Sequence, residues 1–287
     1  MGLCGFQKPH PTTQNEPTEI RHPPSPKPFS TPTVKTPIIS REYNNNYLSR
    51  KRTFAYIKLH DPQSYFQGGV FQIPFNRIVK FGRDVQLAEA AALRFVAKNT
   101  TIPVPKVHCA FEHKHVKYIV MDRIDGEEIG KGWSERPEAE RASLLRQLKG
   151  YFDQLRNIPH PRPGIIAAET GERSLVTAEE RSDMRMVVKM QDQLQGTHKI
   201  CFTHGDASSS NILVKKGKIV AIIDFELSGF YPEYWEYTCA MNVNSQDGFW
   251  KAEIGKFLDP YPRELEIEEN RRKHFGIGGL RGRWHWK

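Results

Sequence analysis

The feature that most constrains how this chain folds is a predicted β-hairpin flanked by two polar residues. Residues 212–214 (Ile-Leu-Val) and 219–223 (Ile-Val-Ala-Ile-Ile) have strand-like composition, and the intervening Lys215-Lys216-Gly217-Lys218 is typical of a turn. Asn211 precedes the first strand and Asp224 follows the second. Because the strands of a hairpin run antiparallel, their pairing brings Asn211 and Asp224 to the same end.

These two polar residues form a donor set for a hard cation. A carboxylate and an amide carbonyl suit Mg²⁺, which keeps water ligands and takes others from nucleotide phosphates. The segment before the hairpin contains His204 and Asp206, with Asp206 five residues ahead of Asn211. Asp206 is left free to face a substrate hydroxyl and to orient it or accept its proton. Asp and Asn are common in loops, but this spacing beside predicted strands favours the functional interpretation.

The pattern His-x-Asp-x4-Asn, with Asp224 thirteen residues further on, resembles the signature of the protein-kinase-like superfamily. Gly205 stands where protein kinases usually carry Arg, and Asp224-Phe225-Glu226 stands in place of Asp-Phe-Gly. In both respects the chain is similar to the aminoglycoside phosphotransferase and choline kinase branch. The whole run is similar to fungal proteins of the aminoglycoside phosphotransferase family.

This resemblance covers about 200 residues and implies both a fold and an activity. The fold is α+β and bilobal, protein-kinase-like, with a small β-rich N-lobe containing one main helix and a larger helical C-lobe. The activity is ATP-dependent transfer of the γ-phosphate to a hydroxyl of a small molecule, with ATP and Mg²⁺ as cofactors. In this scheme Asp206 is the catalytic residue, and Asn211 and Asp224 are the metal ligands.

A lysine and a glutamate in the N-terminal half fit the same scheme. Lys80 lies in the apolar segment Ile78-Val79-Lys80-Phe81-Gly82, and Glu89 follows nine residues later in a predicted helix. By the residues alone, Lys80 is equally well an edge-strand lysine and Glu89 a solvated helix residue. The resemblance implies that they form the ion pair that steadies the α- and β-phosphates of the nucleotide.

The resemblance also assigns residues around the nucleotide. The segment Tyr118–Gly126 is similar to the last N-lobe strand and the hinge of the family, where backbone groups near Asp122 and Ile124 would pair with the adenine edge. Met121 would flank the base, although a methionine at this position is equally a core residue. Ser210 would shape the catalytic loop near the phosphates.

Hydrophobic periodicity and turn residues predict the remaining elements. Asp84 is expected to cap a helix that runs to about Lys98. The Gly68-Gly69 pair is expected to form the turn between the first two strands. Strands are expected at residues 54–59, 77–81, 107–112 and 116–121, and helices at 137–156 and, more weakly, at 178–195. The aromatic segment Tyr231–Tyr237 is interpreted as a helix packed under the catalytic loop rather than as a stacking surface.

Composition divides the chain into four parts: a disordered Pro-rich arm (1–45), an N-lobe (46–121), a C-lobe (122–275) and a basic flexible tail (276–287). Residues 1–40 hold nine of the 20 prolines. Residues 1–60 and 271–287 each carry a net charge of +6, whereas the 210 residues between them carry −3. Because the positive charge is confined to the ends, we do not expect the protein to bind nucleic acid.

The sequence predicts neither a membrane-spanning protein nor a zinc-binding one. The longest uninterrupted apolar stretch is the five residues Ile219–Ile223, which is too short to cross a bilayer. The four cysteines are widely separated and form no zinc-binding pattern, which, with the absence of an export signal, predicts a cytoplasmic protein.

Two departures from the family pattern leave an alternative open. The chain has no Gly-x-Gly-x-x-Gly motif, and the candidate phosphate cover is the segment Tyr65–Val70. Residues 158–199 are short for the insert that helps to form the acceptor pocket. A catalytically impaired, nucleotide-binding scaffold of the same fold is therefore the alternative to an active phosphotransferase. A protein kinase ranks third, because no Ala-Pro-Glu-like segment follows Asp224.

Overall fold

The computed structural model describes residues 41–60, 69–160, 167–168, 198–242 and 247–275, with side chains omitted at 60, 167–168 and 270–275. These ranges all belong to one compact unit. The predictions for most of the Pro-rich arm, for the weak helix at 178–195 and for the basic tail fall outside the described residues. So does most of the candidate phosphate cover.

The N-terminal half is built on a four-stranded antiparallel sheet with the order β1-β2-β4-β3. Its strands are β1 (Gly69–Ile73), β2 (Arg77–Gly82), β3 (Val107–His113) and β4 (Val116–Asp122). Helix α2 (Leu87–Asn99) connects β2 to β3 and buries its alanine-rich face. The predicted strands at 77–81, 107–112 and 116–121 are therefore confirmed, with small differences in their ends.

The two faces of this sheet contact different partners. Side chains alternate along β2, so that Val79 and Phe81 pack into a small core with helix α1 (Tyr47–His60). Ile78 lies on the opposite face, against the main core that includes α2. Lys80 shares that second face, since it is two residues from Ile78. The alternation of β2 therefore directs Lys80 away from α1 and toward the rest of the molecule.

The prediction of a strand at residues 54–59 is wrong, because these residues lie in α1. A half-buried strand would turn Ile57 and Leu59 toward the same face, but Ile57 is 2% exposed and Leu59 is 77% exposed. Instead Thr53 and Ile57, one helical turn apart, are both buried. The ring of Phe54 packs edge-on against Tyr118 of β4 at 5.3 Å. Contact with the sheet decides the conformation here, over an ambiguous local pattern.

Two details of the turn and cap predictions are also wrong. The N-cap residue of α2 is Gln86, so the helix begins two residues later than a cap at Asp84 would place it. Gly69 is the first residue of β1 rather than part of a turn between strands. The turn that joins β1 to β2 is formed by residues 74–76.

The C-terminal half is mainly helical and carries two small sheets. Helix α3 (Glu138–Arg156) buries the face formed by Leu144, Leu145, Leu148, Phe152 and Leu155, as the periodicity predicted. The sheet orders are β5-β8-β9 and β6-β10-β7. Their strands are β5 (Glu127–Glu128), β6 (Ala167–Ala168), β7 (Ile200–Thr203), β8 (Ile212–Lys215), β9 (Lys218–Ile222) and β10 (Gly229–Pro232).

Three helices follow the last strand: α4 (Trp235–Ala240), α5 (Gly248–Ile254) and α6 (Pro262–Phe275). Trp250 of α5 is fully buried and packs edge-on against Trp133 with their ring centroids 5.3 Å apart. Within the described ranges, no helix is long and apolar enough to cross a membrane.

Candidate active site

The predicted hairpin is present and brings its flanking residues together. Strands β8 and β9 pair antiparallel with Ile212 opposite Ile222, and the Ile223 amide donates to the Asn211 carbonyl at 2.9 Å. Asn211 therefore lies beside the residue that precedes Asp224. Asp224 has a φ of +63°, a left-handed conformation that is uncommon for an aspartate. Such backbone strain is concentrated at functional sites.

Lys80 connects the N-terminal sheet to this end of the hairpin. Its Nζ lies 2.8 Å from Glu89 Oε2 on α2, 3.1 Å from Asp224 Oδ1 and 3.7 Å from Glu226 Oε2. The Lys80 side chain is only 16% exposed and that of Glu89 is 2% exposed. The structure thus brings Lys80, Glu89 and Asp224 together and adds Glu226, which the sequence analysis did not select.

The charges of this cluster do not balance, since one ammonium faces three carboxylates. Burial lowers the pKa of Lys80, but the three carboxylates outweigh burial and the pKa is raised. Burial raises the pKa of Glu89 to about 7, against the opposing effect of Lys80. Burial and the neighbouring Asp224 charge raise the pKa of Glu226 to about 8. With these pKa values Glu89 and Glu226 are partly protonated near neutral pH, and a bound cation would favour their ionised forms.

The oxygen donors at this end of the hairpin fit Mg²⁺. Carboxylate oxygens of Glu89, Asp224 and Glu226 all lie within 4.8 Å of one another. Asn211 Nδ2 donates to the Asp206 carbonyl at 3.1 Å, so its amide oxygen points away from that carbonyl and is available to a cation. Hard oxygen ligands of this type are those that Mg²⁺ prefers.

His204 fixes the candidate catalytic loop (residues 204–211, which include Asp206) to the end of β9. The Asp206 amide donates to His204 Nδ1 at 3.1 Å, which leaves the other ring nitrogen, Nε2, to donate to the Ile223 carbonyl at 2.9 Å. The imidazole is therefore the neutral tautomer that carries its proton on Nε2. Because it is fully buried, it holds Asp206 in a constant position relative to the hairpin.

Asp206 presents an unused acceptor. Its Oδ1 is buried and makes no hydrogen bond to any residue in the described part of the chain, a state that is costly for a carboxylate unless a ligand completes it. Burial raises the pKa of Asp206, and this effect outweighs the opposing influence of His204 and of polar contacts from Ser208 and Asn211. Ser210 lies on the same loop, where its Oγ is 3.1 Å from Ser208 Oγ.

Glu236 of α4 supports the start of the loop and was not selected from the sequence. Its buried carboxylate accepts the His204 amide at 2.5 Å and the Gly205 amide at 3.1 Å. Burial raises the pKa of Glu236, and these two hydrogen bonds oppose that effect. The interpretation of residues 231–237 as a helix is correct only from Trp235 onward, because Tyr231 and Pro232 belong to β10. It did not identify the carboxylate.

The geometry also explains why position 205 is a glycine and not the arginine that is usual in protein kinases. Gly205 has a φ of +86°, and a Cβ there would lie 2.6 Å from the Leu227 carbonyl oxygen. A side chain at this position would therefore require movement of the segment that follows Asp224.

Asp247 supports the other end of the loop. Its Oδ2 accepts the Ser209 amide at 2.9 Å, and its Oδ1 accepts the Ser209 hydroxyl at 2.7 Å. Asp247 is 38 residues from Ser209 in the chain, and no local pattern marks it. The Trp250 indole of the following helix donates to the Ala207 carbonyl at 3.0 Å. Side chains from distant helices therefore hold the loop at both ends.

Asp122 and Ile124 lie where the chain leaves β4 for β5. The Asp122 amide donates to the Lys106 carbonyl at 3.0 Å, and the Arg123 amide donates to the Asn76 carbonyl at 2.9 Å. Because the amide and carbonyl of one strand residue point the same way, the Asp122 carbonyl faces away from β2. The Asp122 carboxylate lies 2.6 Å from His108 Nε2.

Comparison with solved structures identifies the fold. The chain is similar to APH(2″)-IIa in a streptomycin–ATP ternary complex, with a TM-score of 0.55, 16% identity and coverage of 82% of this chain and 88% of the other. It is also similar to ADP-bound APH(2″)-Ib, with a TM-score of 0.53, 16% identity and coverage of 75% and 84%, respectively. The second of these is described as an aminoglycoside phosphotransferase. The predicted kinase-like fold with a β-rich N-terminal part is therefore confirmed.

Comparison of sequences gives the family. A search of curated proteins found no match. Residues 76–268, about two thirds of the chain, match the sequence profile named APH, described as the phosphotransferase enzyme family. The matched range contains the cluster around Lys80, the candidate catalytic loop and both residues that support it, Glu236 and Asp247. The chain therefore belongs to the APH phosphotransferase enzyme family.

Proposed function

We propose that this protein transfers the γ-phosphate of ATP to a hydroxyl group of a small molecule. In this reaction the bond between the γ-phosphorus and the leaving oxygen of ADP breaks, and a bond to the acceptor oxygen forms. The acceptor proton passes to Asp206 or is oriented by it. We also propose that the chain is similar to the fungal members of the family in particular.

The observation that carries the proposal is the buried, unpaired Oδ1 of Asp206. A hydroxyl that donates to this oxygen would remove the cost of leaving a carboxylate oxygen without a partner. The raised pKa of Asp206 makes it a better proton acceptor than an ordinary aspartate. The supports at His204, Glu236 and Asp247 keep the loop in one position before the acceptor binds.

The nucleotide contacts are assigned to the residues that the sequence selected. Lys80, fixed by Glu89, would contact the α- and β-phosphates, and Asn211 and Asp224 would hold Mg²⁺. The metal ion supplies neutralisation of charge on the β- and γ-phosphate oxygens.

The remaining assignments concern the adenine and the loop near the phosphates. Backbone groups of Asp122 and Ile124 would pair with the adenine edge, and Ser210 would lie near the phosphates. We retain residues 46–121 and 122–275 as the proposed lobes on either side of the nucleotide.

The test is ADP formation by the full-length chain with Mg·ATP and a panel of hydroxyl compounds that includes aminoglycosides. We expect Asp206→Ala to lower turnover by at least 100-fold while the affinity for Mg·ATP changes little, because Asp206 acts on the acceptor. Asp259→Asn, which changes an exposed aspartate, is the matched control and should retain parental activity. Turnover retained in Asp206→Ala would contradict the assigned role.

A second variant separates catalysis from nucleotide binding. Asp224→Ala should abolish Mg²⁺-dependent binding of ATP, measured by calorimetry, since it removes a carboxylate at the proposed metal site. If the parent protein binds Mg·ATP but produces no ADP with any compound, the scaffold alternative is supported over the phosphotransferase.

A further inference from the structure

A cavity of about 370 Å³ lies between α1 and the outer face of the N-terminal sheet. This volume falls within the roughly 300–1,000 Å³ that is typical of small-molecule sites. Arg52 and Tyr56 of α1 line one side, Phe75 lines the edge, and Arg77 and His108 line the sheet side. Most of the lining precedes residue 76, where the family match begins. The cavity is therefore largely a feature of this chain outside the matched region.

The cavity is separate from the proposed nucleotide site. Arg77 lies on the same face of β2 as Val79 and Phe81, which pack toward α1. Lys80 projects from the opposite face, where it contacts Glu89 and Asp224. The four-stranded sheet therefore stands between the cavity and the cluster around Lys80.

The charged side chains that line the cavity are all basic, and the nearest acidic neighbour given by the sheet register is Asp122, which lies opposite Arg77 and is paired with His108. No described residue that lines it is acidic. Within the described ranges, neither Arg52 nor Arg77 forms an ion pair, whereas His108 is paired with Asp122 at 2.6 Å. Two guanidinium groups with donors in a fixed planar arrangement are well suited to bind a phosphate or carboxylate.

Phe75 provides a second, independent observation. It occupies a left-handed conformation, with a φ of +66°, in the turn between β1 and β2, and its side chain is 76% exposed. Both features are unfavourable for a phenylalanine. The left-handed conformation normally selects Gly or Asn, and an exposed ring gains little from the hydrophobic effect. The Arg77 guanidinium carbon lies 6.0 Å from the ring centroid. The strained turn therefore holds an aromatic face beside a cation at the cavity edge.

From these features we propose that the cavity binds a small phosphomonoester with an attached aromatic group. The phosphate would lie between Arg52 and Arg77, and the aromatic group would contact Phe75 and the apolar floor formed by Ile73 and Val120. Such a site lies behind the strand that carries Lys80 and is independent of the proposed transfer reaction.

The test is calorimetric titration of the full-length protein, in buffer without phosphate or sulfate, with phenyl phosphate, inorganic phosphate and phenol as separate probes. We expect saturable binding of phenyl phosphate with one site per chain, weaker binding of inorganic phosphate and none of phenol. Arg52→Gln should weaken phenyl phosphate binding roughly 10-fold or more, because it removes charge-assisted hydrogen bonds. Arg52 is exposed on α1, so this change should not unfold the protein.

Two further variants make the result specific. Arg50→Gln, the same substitution two residues away on α1 and outside the cavity lining, should bind phenyl phosphate like the parent. Phe75→Ala should weaken binding of phenyl phosphate but leave binding of inorganic phosphate unchanged. The proposal is overturned if Arg52→Gln binds phenyl phosphate as tightly as the parent, if no saturable binding occurs, or if Mg·ATP competes for the same site.

Discussion

Replacement of Glu236 by glutamine tests whether this buried carboxylate holds the catalytic loop. The carboxylate accepts two backbone amides, those of His204 and Gly205. A glutamine side chain has one oxygen, so it can accept one of these amides, while its NH₂ group would face the other. One buried amide would then lose its acceptor.

The number of amides that lose their acceptor sets the expected loss of stability. A buried donor left without a partner costs about 1–3 kcal/mol of the free energy of unfolding. For a chain of this size each kcal/mol corresponds to roughly 2–4 °C, so Glu236→Gln should lower the melting temperature by about 2–12 °C. Glu236→Ala leaves both amides unpaired and should cost about 2–6 kcal/mol, a large part of the total stability of a typical domain.

Urea denaturation gives the free energy, and hydrogen exchange of the peptide that covers residues 202–208 reports on the two amides directly. Both amides should exchange faster in Glu236→Gln than in the parent. Glu266→Gln, an exposed change on α6, is the matched control and should alter stability by less than about 0.5 kcal/mol. If Glu236→Gln has the same free energy of unfolding as the parent, and its His204 and Gly205 amides exchange at the parental rate, then Glu236 does not hold the loop.

Three further outcomes are expected. Gly205→Ala should lower the free energy of unfolding by about 1–3 kcal/mol, because of its positive φ and the close Leu227 carbonyl; an unchanged urea midpoint would show that the loop adjusts without cost. In metal-free buffer, Glu226→Gln should be more stable than the parent by about 2–4 kcal/mol above pH 8. The pKa of Glu226 is raised to about 8, so the ionised form is penalised at high pH, and the advantage should vanish as the pH falls toward 4.5; a constant difference across this range would argue against it. Burial raises the pKa of Cys109 and Cys201, so both thiols should react with iodoacetamide at pH 7.5 far more slowly in the folded protein than in urea, and equal rates would contradict their burial.

Local sequence patterns were sufficient for the elements that have strong periodicity. The hairpin around residues 212–222, the strands β2 to β4 and the amphipathic helix α3 follow from alternation and helical spacing. The strand-like segment at 54–59 was misassigned because a short apolar pattern fits both a strand and a helix. Its contact with the sheet decides between them.

For the candidate site, spacing along the chain selected Asp206, Asn211 and Asp224, whereas Lys80 and Glu89 were selected only through the resemblance to the family. Glu226 lies within the same segment as Asp224, yet its contact with Lys80 became apparent only when the two halves of the chain were placed together. No sequence motif predicts that the Lys80 ammonium faces three carboxylates at once.

The sequence by itself determined which polar residues end the hairpin and which lysine lies in an apolar strand, since these are properties of neighbours in the chain. Only the tertiary structure decided what supports them. Glu236 and Asp247 hold amides that are more than 30 residues away, and α1 closes a cationic cavity against the outer face of the sheet. Buried backbone amides must find acceptors somewhere in the folded protein, and the residue that supplies one is set by packing between distant elements rather than by local pattern.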